Sequence, residues 1–245
     1  MLRLAGLLIL TTSAFAASAP DAADGITLLR RFDLLRNGAA WSSFAVRIQI
    51  TNYEDGQEDE EHLFLVYQKG TEKSYVEFLS PREKGRHLLM LGDDMWIYLP
   101  DTSRPIRITP LERLAGNAAN GDVARANWAT DYNPVSVRSE RVDGVECYVL
   151  DLSAKRKGAT YRRVLLWLRL SDNLPVKADF FVAAGRQLKS ATYDSYQQID
   201  GQTMLRRMTI YDRVRQNSRT VIDYLSFQPR ALPDRIFHQG RSETF

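Results

Sequence analysis

Cysteine is almost missing from this chain. Among 245 residues only Cys147 carries a thiol, so no intramolecular disulfide can form and the fold must rest on its core. A chain of this length can bury a core large enough for that. Histidine is scarce too: His62, His87 and His238 stand apart, without the H-E-x-x-H spacing of a zinc helix. An excess of charge is lacking, since 33 Lys and Arg against 30 Asp and Glu leave a net +3. That field is too weak to gather nucleic acid. No apolar run approaches the ~20 residues that cross a bilayer as a helix. Neither a G-x-S-x-G elbow nor a G-x-G-x-x-G turn occurs. Gly116 and Gly121 have the glycine spacing of a phosphate loop. Asp122 and Val123 then replace the Lys and Ser/Thr that would hold phosphate and magnesium. The sequence therefore predicts a protein that is not an enzyme, with no cofactor and no metal site.

What is present begins with a secretory signal. Arg3 supplies a positive n-region, residues 4–10 are apolar, and Ala14-Phe15-Ala16 is a small-x-small cleavage site. Cleavage after Ala16 is expected, leaving residues 17–245 as one domain with a side-chain charge of +3 − 1 = +2, because residues 1–16 contain one charge, Arg3. No cysteine follows the cleavage site to take a lipid anchor. A soluble exported protein is the expected product.

The spacing predicts an amphipathic helix over residues 24–37. Ile26, Leu29 and Phe32 recur three apart, Asp24 can cap the start, and Asn37-Gly38 can end it. From Trp41 onward the pattern is strand. Val46, Ile48 and Ile50 alternate with Arg47 and Gln49, the period of a half-buried strand. About a dozen such strands follow, separated by turn signals every 8–12 residues. Among the turns are a polar, acidic one over 52–61, Gly92-Asp93-Asp94, Asp143-Gly144 and Asp200-Gly201. Residues 110–131 interrupt the rhythm, with a short helix expected over 111–114 and a loop over 116–121. Strands without helices between them exclude a doubly wound α/β fold. The expected fold is mainly β, with one large, strongly curved antiparallel sheet or open barrel as the simplest architecture. Glu58, Asp59, Glu60 and Glu61 are read as a solvated hairpin tip, and Cys147 as a small packing residue.

Residues 164–168 and 179–183 are apolar on nearly both faces. A helix of about 14 residues spans only ~21 Å and cannot cover the inner face of a dozen strands. Either the sheet curls into a packed core or it borders an apolar cavity suited to acyl chains. The candidate lining residues are Val46, Ile48, Ile50, Val76, Phe78, Val164, Leu166, Leu168, Phe180 and Val182. In the central loop, Trp128 and Tyr132 are the residue types that anchor interfaces and are candidate partner contacts.

One stretch carries a resemblance. Pro81 and Gly85 frame a Pro-x-x-x-Gly hairpin, Met95, Trp96, Tyr98 and Pro100 follow as a Met-Trp-x-Tyr-x-Pro strand, and Arg104 and Arg107 mark a basic strand after it. Together with residues 111–116 and 127–132, this order resembles the LolA/LolB-like outer-membrane lipoprotein-sorting family. The resemblance implies a mainly β fold, a strongly curved antiparallel sheet forming an incomplete barrel plugged by the N-terminal helix and a short helical central loop, and a periplasmic carrier or chaperone that binds the acyl chains of a lipid or lipoprotein and moves it toward the outer membrane. Its partners would be those acyl chains and an inner-membrane transporter, with transient membrane contact. The resemblance supplies no catalytic residues. A non-catalytic accessory subunit of an inner-membrane lipid exporter or envelope complex is the alternative.

Overall fold

The computed structural model of the chain describes residues 22–38, 41–102, 104–125 and 127–238. The expected signal peptide lies outside the described residues. Helix α1 (Ala22–Asn37) starts two residues before the predicted span and ends where it was expected. Six strands follow: β1 (Ser43–Glu54), β2 (Gln57–Lys69), β3 (Lys73–Phe78), β4 (His87–Leu91), β5 (Asp94–Tyr98) and β6 (Ile106–Ile108). A central segment contains β7 (Arg113–Ala115), β8 (Ala118–Ala119), α2 (Asn120–Ala124) and α3 (Trp128–Asp131). The second strand series is β9 (Tyr132–Val142), β10 (Val145–Ala154), β11 (Arg163–Arg169), β12 (Pro175–Phe181), β13 (Gln187–Ile199), β14 (Gln202–Asp212) and β15 (Ser218–Pro229).

Thirteen strands form one sheet in the order β6-β5-β4-β3-β2-β1-β15-β14-β13-β12-β11-β10-β9. Each half is a meander in which neighbours in sequence are neighbours in space. Antiparallel pairing of β1 with β15, from Phe44 opposite Pro229 to Glu54 opposite Ser218, joins the halves. Asp55-Gly56, Asp143-Gly144 and Asp200-Gly201 all have positive φ at both residues, as a two-residue hairpin of matching twist requires. The end strands β6 and β9 do not pair, so the barrel is incomplete. It curls far enough for the β10–β11 connection to reach the opposite half. There Arg156 donates to Glu72 at 2.6 Å and to Asp93 at 2.9 Å.

Two expectations fail. The acidic stretch is not a loop: the turn is only Asp55-Gly56, and Gln57 to Glu61 extend β2 with all five side chains exposed. Charges that can reach water from a strand end without a β3 partner do not stop a strand. The central segment does not form a helix over 111–114 followed by a loop over 116–121: a turn runs into β7, which pairs with β8, and α2 begins at Asn120. Gly116 explains the change. It turns the chain at φ +51, and a Cβ there would lie 1.8 Å from Asn52 Oδ1, so this segment is seated tightly on the sheet instead of coiling on its own.

One face of the sheet carries the main core. Phe44, Val46, Ile48 and Ile50 of β1 meet Phe64 and Val66 of β2, Val76 and Phe78 of β3, Leu150 and Leu152 of β10, and Val164, Leu166 and Leu168 of β11 in one buried cluster. Leu28, Leu29, Phe32 and Leu35 of α1 enter the same cluster. An irregularity in β15 leaves Tyr224 and Phe227, three apart, in that cluster with stacked rings 5.9 Å apart.

The opposite face holds two smaller apolar patches. Residues Leu232, Ile236 and Phe237 of the C-terminal tail cover Tyr67, Tyr75, Leu89, Trp96 and Tyr98. Cys147 and Val149 pack with Trp167, and Lys177 lies 4.5 Å over the Trp167 ring. This second patch accounts for the two-sided apolar character of β11. Cys147 is buried within it.

The plugged concave face as candidate functional site

The candidate lining residues come together. Val46, Ile48, Ile50, Val76, Phe78, Val164, Leu166, Leu168 and Phe180 all lie in the main cluster, each essentially buried. Val182 falls just beyond β12 and is half-buried outside that cluster. In this conformation the face is covered. Above it lie α1 and the segment from β7 to α3, whose Ala115, Ala118, Val123, Ala124 and Trp128 join the cluster.

Trp128 and Tyr132, expected as partner contacts, are only 7% and 1% exposed. Trp128 packs at a tilt on Phe32, ring centres 4.8 Å apart, and meets Phe180 edge-on at 6.0 Å. Tyr132 accepts the Tyr161 N–H at 3.1 Å through its hydroxyl. Both are core rings here, and neither offers a surface to a partner while the plug is seated.

The motif residues divide between structural tasks. Pro81 opens a one-turn 3-10 helix, Pro81–Glu83. Gly85 has φ +88, and a Cβ there would meet Pro100 at 3.0 Å; the glycine and the proline of the motif therefore touch. Met95 points into the concave core, whereas Trp96 and Tyr98 pack under the C-terminal tail.

The sequence reading missed the polar ties that hold the plug. Asp33 of α1 accepts the N–H groups of Trp128 and Ala129, both at 2.8 Å. It thereby satisfies two free donors at the start of α3. Burial pushes its carboxyl up to about 7, against the lowering effect of those two bonds. Arg36, one turn on, donates to the backbone carbonyl of Asp122. The Asp122 carboxylate accepts the Ala119 N–H at 2.9 Å and the Tyr161 hydroxyl at 2.9 Å. Arg125 grips Asp131 through two parallel bonds of 2.9 and 2.6 Å and donates to the Gly92 carbonyl at 2.7 Å. Asn117 anchors the start of the segment to Thr220 and Ser218. A signal for the helix residues was available: Leu29, Phe32, Asp33 and Arg36 share the i, i+3, i+4, i+7 positions of one helix face.

Clefts lie on the outer face and at the margin of the covering segment. One of about 480 Å³ is lined by Thr51, Asp194, Arg207, Thr209 and Asp223 on the outer face. The other, about 320 Å³, lies by His62, Asn117 and Ser218. Both have polar linings. Among the described residues no three His, Cys, Asp or Glu side chains gather to hold a metal, and no helix is long and apolar enough to cross a membrane.

An open antiparallel half-barrel whose apolar concave face is closed by a helix and a tethered segment defines the structural class. The architecture recurs in solved structures. A LolA superfamily protein from Nitrosomonas europaea superposes with a TM-score of 0.81 at 35% identity, over 90% of this chain and 99% of that one. A DUF1329 family protein from Desulfovibrio piger gives 0.74 at 25% identity, over 89% and 97%. A domain from Vibrio parahaemolyticus assigned to outer membrane lipoprotein sorting gives 0.72 at 19% identity, over 88% and 97%, a likeness of fold. A family model described as an uncharacterized protein matches residues 70–241. No curated protein matches the sequence. The chain belongs to the LolA superfamily.

Proposed function

We propose that the protein is a non-catalytic periplasmic carrier that holds the acyl chains of a lipid or lipoprotein between the concave sheet face and its plug, and moves them toward the outer membrane. One observation carries this reading. The apolar face is closed by α1 and a short segment tied down through buried polar contacts, where a second sheet would have made the closure permanent. Hydrogen bonds and ion pairs are directional and few, so such a cover can lift as a unit while the sheet keeps its ladder. Acyl chains would then take the place of Leu28, Leu29, Phe32 and Trp128 against Ile48, Val76, Leu166 and Phe180. Each buried CH₂ contributes about 0.8 kcal/mol, so a chain of about a dozen methylenes supplies on the order of 10 kcal/mol against the lost plug contacts. The superfamily membership and the signal-like residues 1–16 support the periplasmic location, with residues 17–245 as a single mature domain.

The second reading, an accessory subunit of an inner-membrane exporter or envelope complex, is favoured by the close packing of the same face. Native mass spectrometry of protein purified from the periplasm without detergent, with lipid extraction of the same sample, separates the two. A defined extra mass that extracts as a lipid or acylated peptide is the expected result. A bare protein mass that persists after incubation with liposomes and lipopeptides would overturn the carrier reading in favour of the accessory one.

A further inference from the structure

The buried ties of the plug do not all balance. Arg36 is 6% exposed, yet among the described residues its Nε meets no acceptor. Leaving a buried charged donor unmade costs more than a neutral one, and native proteins keep such orphans where something else is gained. Among the described residues Arg36 bonds to the Asp122 carbonyl, a bond that a glutamine could make without burying a charge. The carboxylate one turn earlier, Asp33, gives its hydrogen bonds to the Trp128 and Ala129 N–H groups and acts on Arg36 through its field. A second cation sits nearby. Lys189 is largely buried, lies 5.6 Å over the Tyr161 ring, and reaches Asp122 at 3.8 Å. Lys189 also donates to the Tyr161 hydroxyl at 3.4 Å, and the Asp122 carboxylate already accepts from Ala119 and Tyr161. The cover of the concave face thus holds a buried guanidinium donor that the described residues do not use.

We propose that Arg36, with Lys189, forms an anion site for a phosphate ester, so that the cargo is a phospholipid-type molecule whose charged headgroup is read as well as its chains. This rests on the carrier reading and specifies the cargo class. The planar guanidinium suits a phosphate through paired N–H donors, and inside a low-dielectric core that attraction is strengthened. The site selects against neutral diacylglycerols of identical chain length, because they would leave the orphan donor unmet.

The test compares three lipids with the same two oleoyl chains: phosphatidylglycerol, phosphatidylcholine and diacylglycerol. Each is offered in vesicles to the mature protein, and retained lipid is counted by native mass spectrometry. The wild type is expected to retain the two phosphate-bearing lipids at least tenfold over diacylglycerol. Arg36→Gln should bind all three alike, and Arg36→Lys should keep part of the preference. Inorganic phosphate added as competitor should leave the retained phospholipid in place; displacement by free phosphate alone would make the site one for a soluble anion and overturn the lipid assignment. Equal retention of all three lipids by the wild type, or an undiminished preference in Arg36→Gln, overturns the anion site and leaves the carrier reading standing. No retention of any lipid overturns both. Should Arg36→Gln not fold, the wild-type ratios and Arg36→Lys decide the matter.

Discussion

The two faces of the sheet are built by different rules. The outer face carries rows in which threonine predominates, such as Thr192, Thr209, Val221 and Thr51, paired strand to strand, with two apolar patches of modest size. One is closed by its own tail and the other by Lys177. The concave face is continuous and apolar, but buried charge is threaded into its cover: Asp33, Arg36, Asp122, Arg125 and Asp131. Permanent cores avoid such charges because apolar replacements of similar volume are often neutral or stabilising. On the outer face the buried carboxylates, Asp179 and Asp223, pair with the half-exposed Lys177 and Arg207; under the proposed function, the charges in the cover mark where the molecule would part.

If that contrast is right, the cover and the outer patches should respond differently to mutation. The largest loss is expected from Phe32→Ala, which empties the contact with Trp128 at 4.8 Å and Tyr193 at 5.7 Å. It should cost about 3–5 kcal/mol in urea unfolding; a loss under 1 kcal/mol would mean that the cover contributes little. Asp131→Ala leaves Arg125 buried without its carboxylate and should cost about 3 kcal/mol. It should also raise hydrogen exchange in α1 and α3 before the sheet exchanges, and uniform exchange would argue against a separable plug. On the outer face, Phe237→Ser should cost only about 2 kcal/mol. Faster exchange should be confined to β3–β5 and the tail, with lipid retention unchanged.

The last difference is read against pH. Because Asp33 titrates near 7 in the fold against an ordinary 3.8, the folded state holds its proton where the unfolded chain has released it. The stability this group contributes is full below about pH 4 and falls as pH rises to about 7, by at most ~1.4 kcal/mol per pH unit. Thermal melts of the wild type minus those of Asp33→Asn should show that slope, and parallel curves would remove Asp33 from the account.

Much of this arrangement was legible in the chain. Alternation in β1 and β11 named the concave residues, because a period of two assigns faces without knowledge of the partner strand. Two Asp-Gly pairs and the Gly92-Asp93 turn placed three hairpins. The acidic run was misread because charge was taken for loop, although Gln57 to Glu61 extend β2 beyond its pairing with β3 and so keep their side chains in water. What could not be read were the contacts between Asp33 and Trp128 or Arg36 and Asp122, since the bonded partners are 95 and 86 residues apart. Nor does a lone sequence show that Trp128 turns inward, because an aromatic ring in a polar loop serves equally as core or as contact.

The pairing of β1 with β15 has a consequence for how the chain acquires its shape. Each meander can zip from its own hairpins, a local and fast process. The junction between them must wait for the last strand, because Phe44 lies opposite Pro229. Distant pairing of this kind slows folding. It leaves β1 and β15 as bare, sticky edges in any chain that stalls before the halves dock. The chain is therefore most vulnerable to self-association late in folding, when nearly all of its secondary structure is already in place.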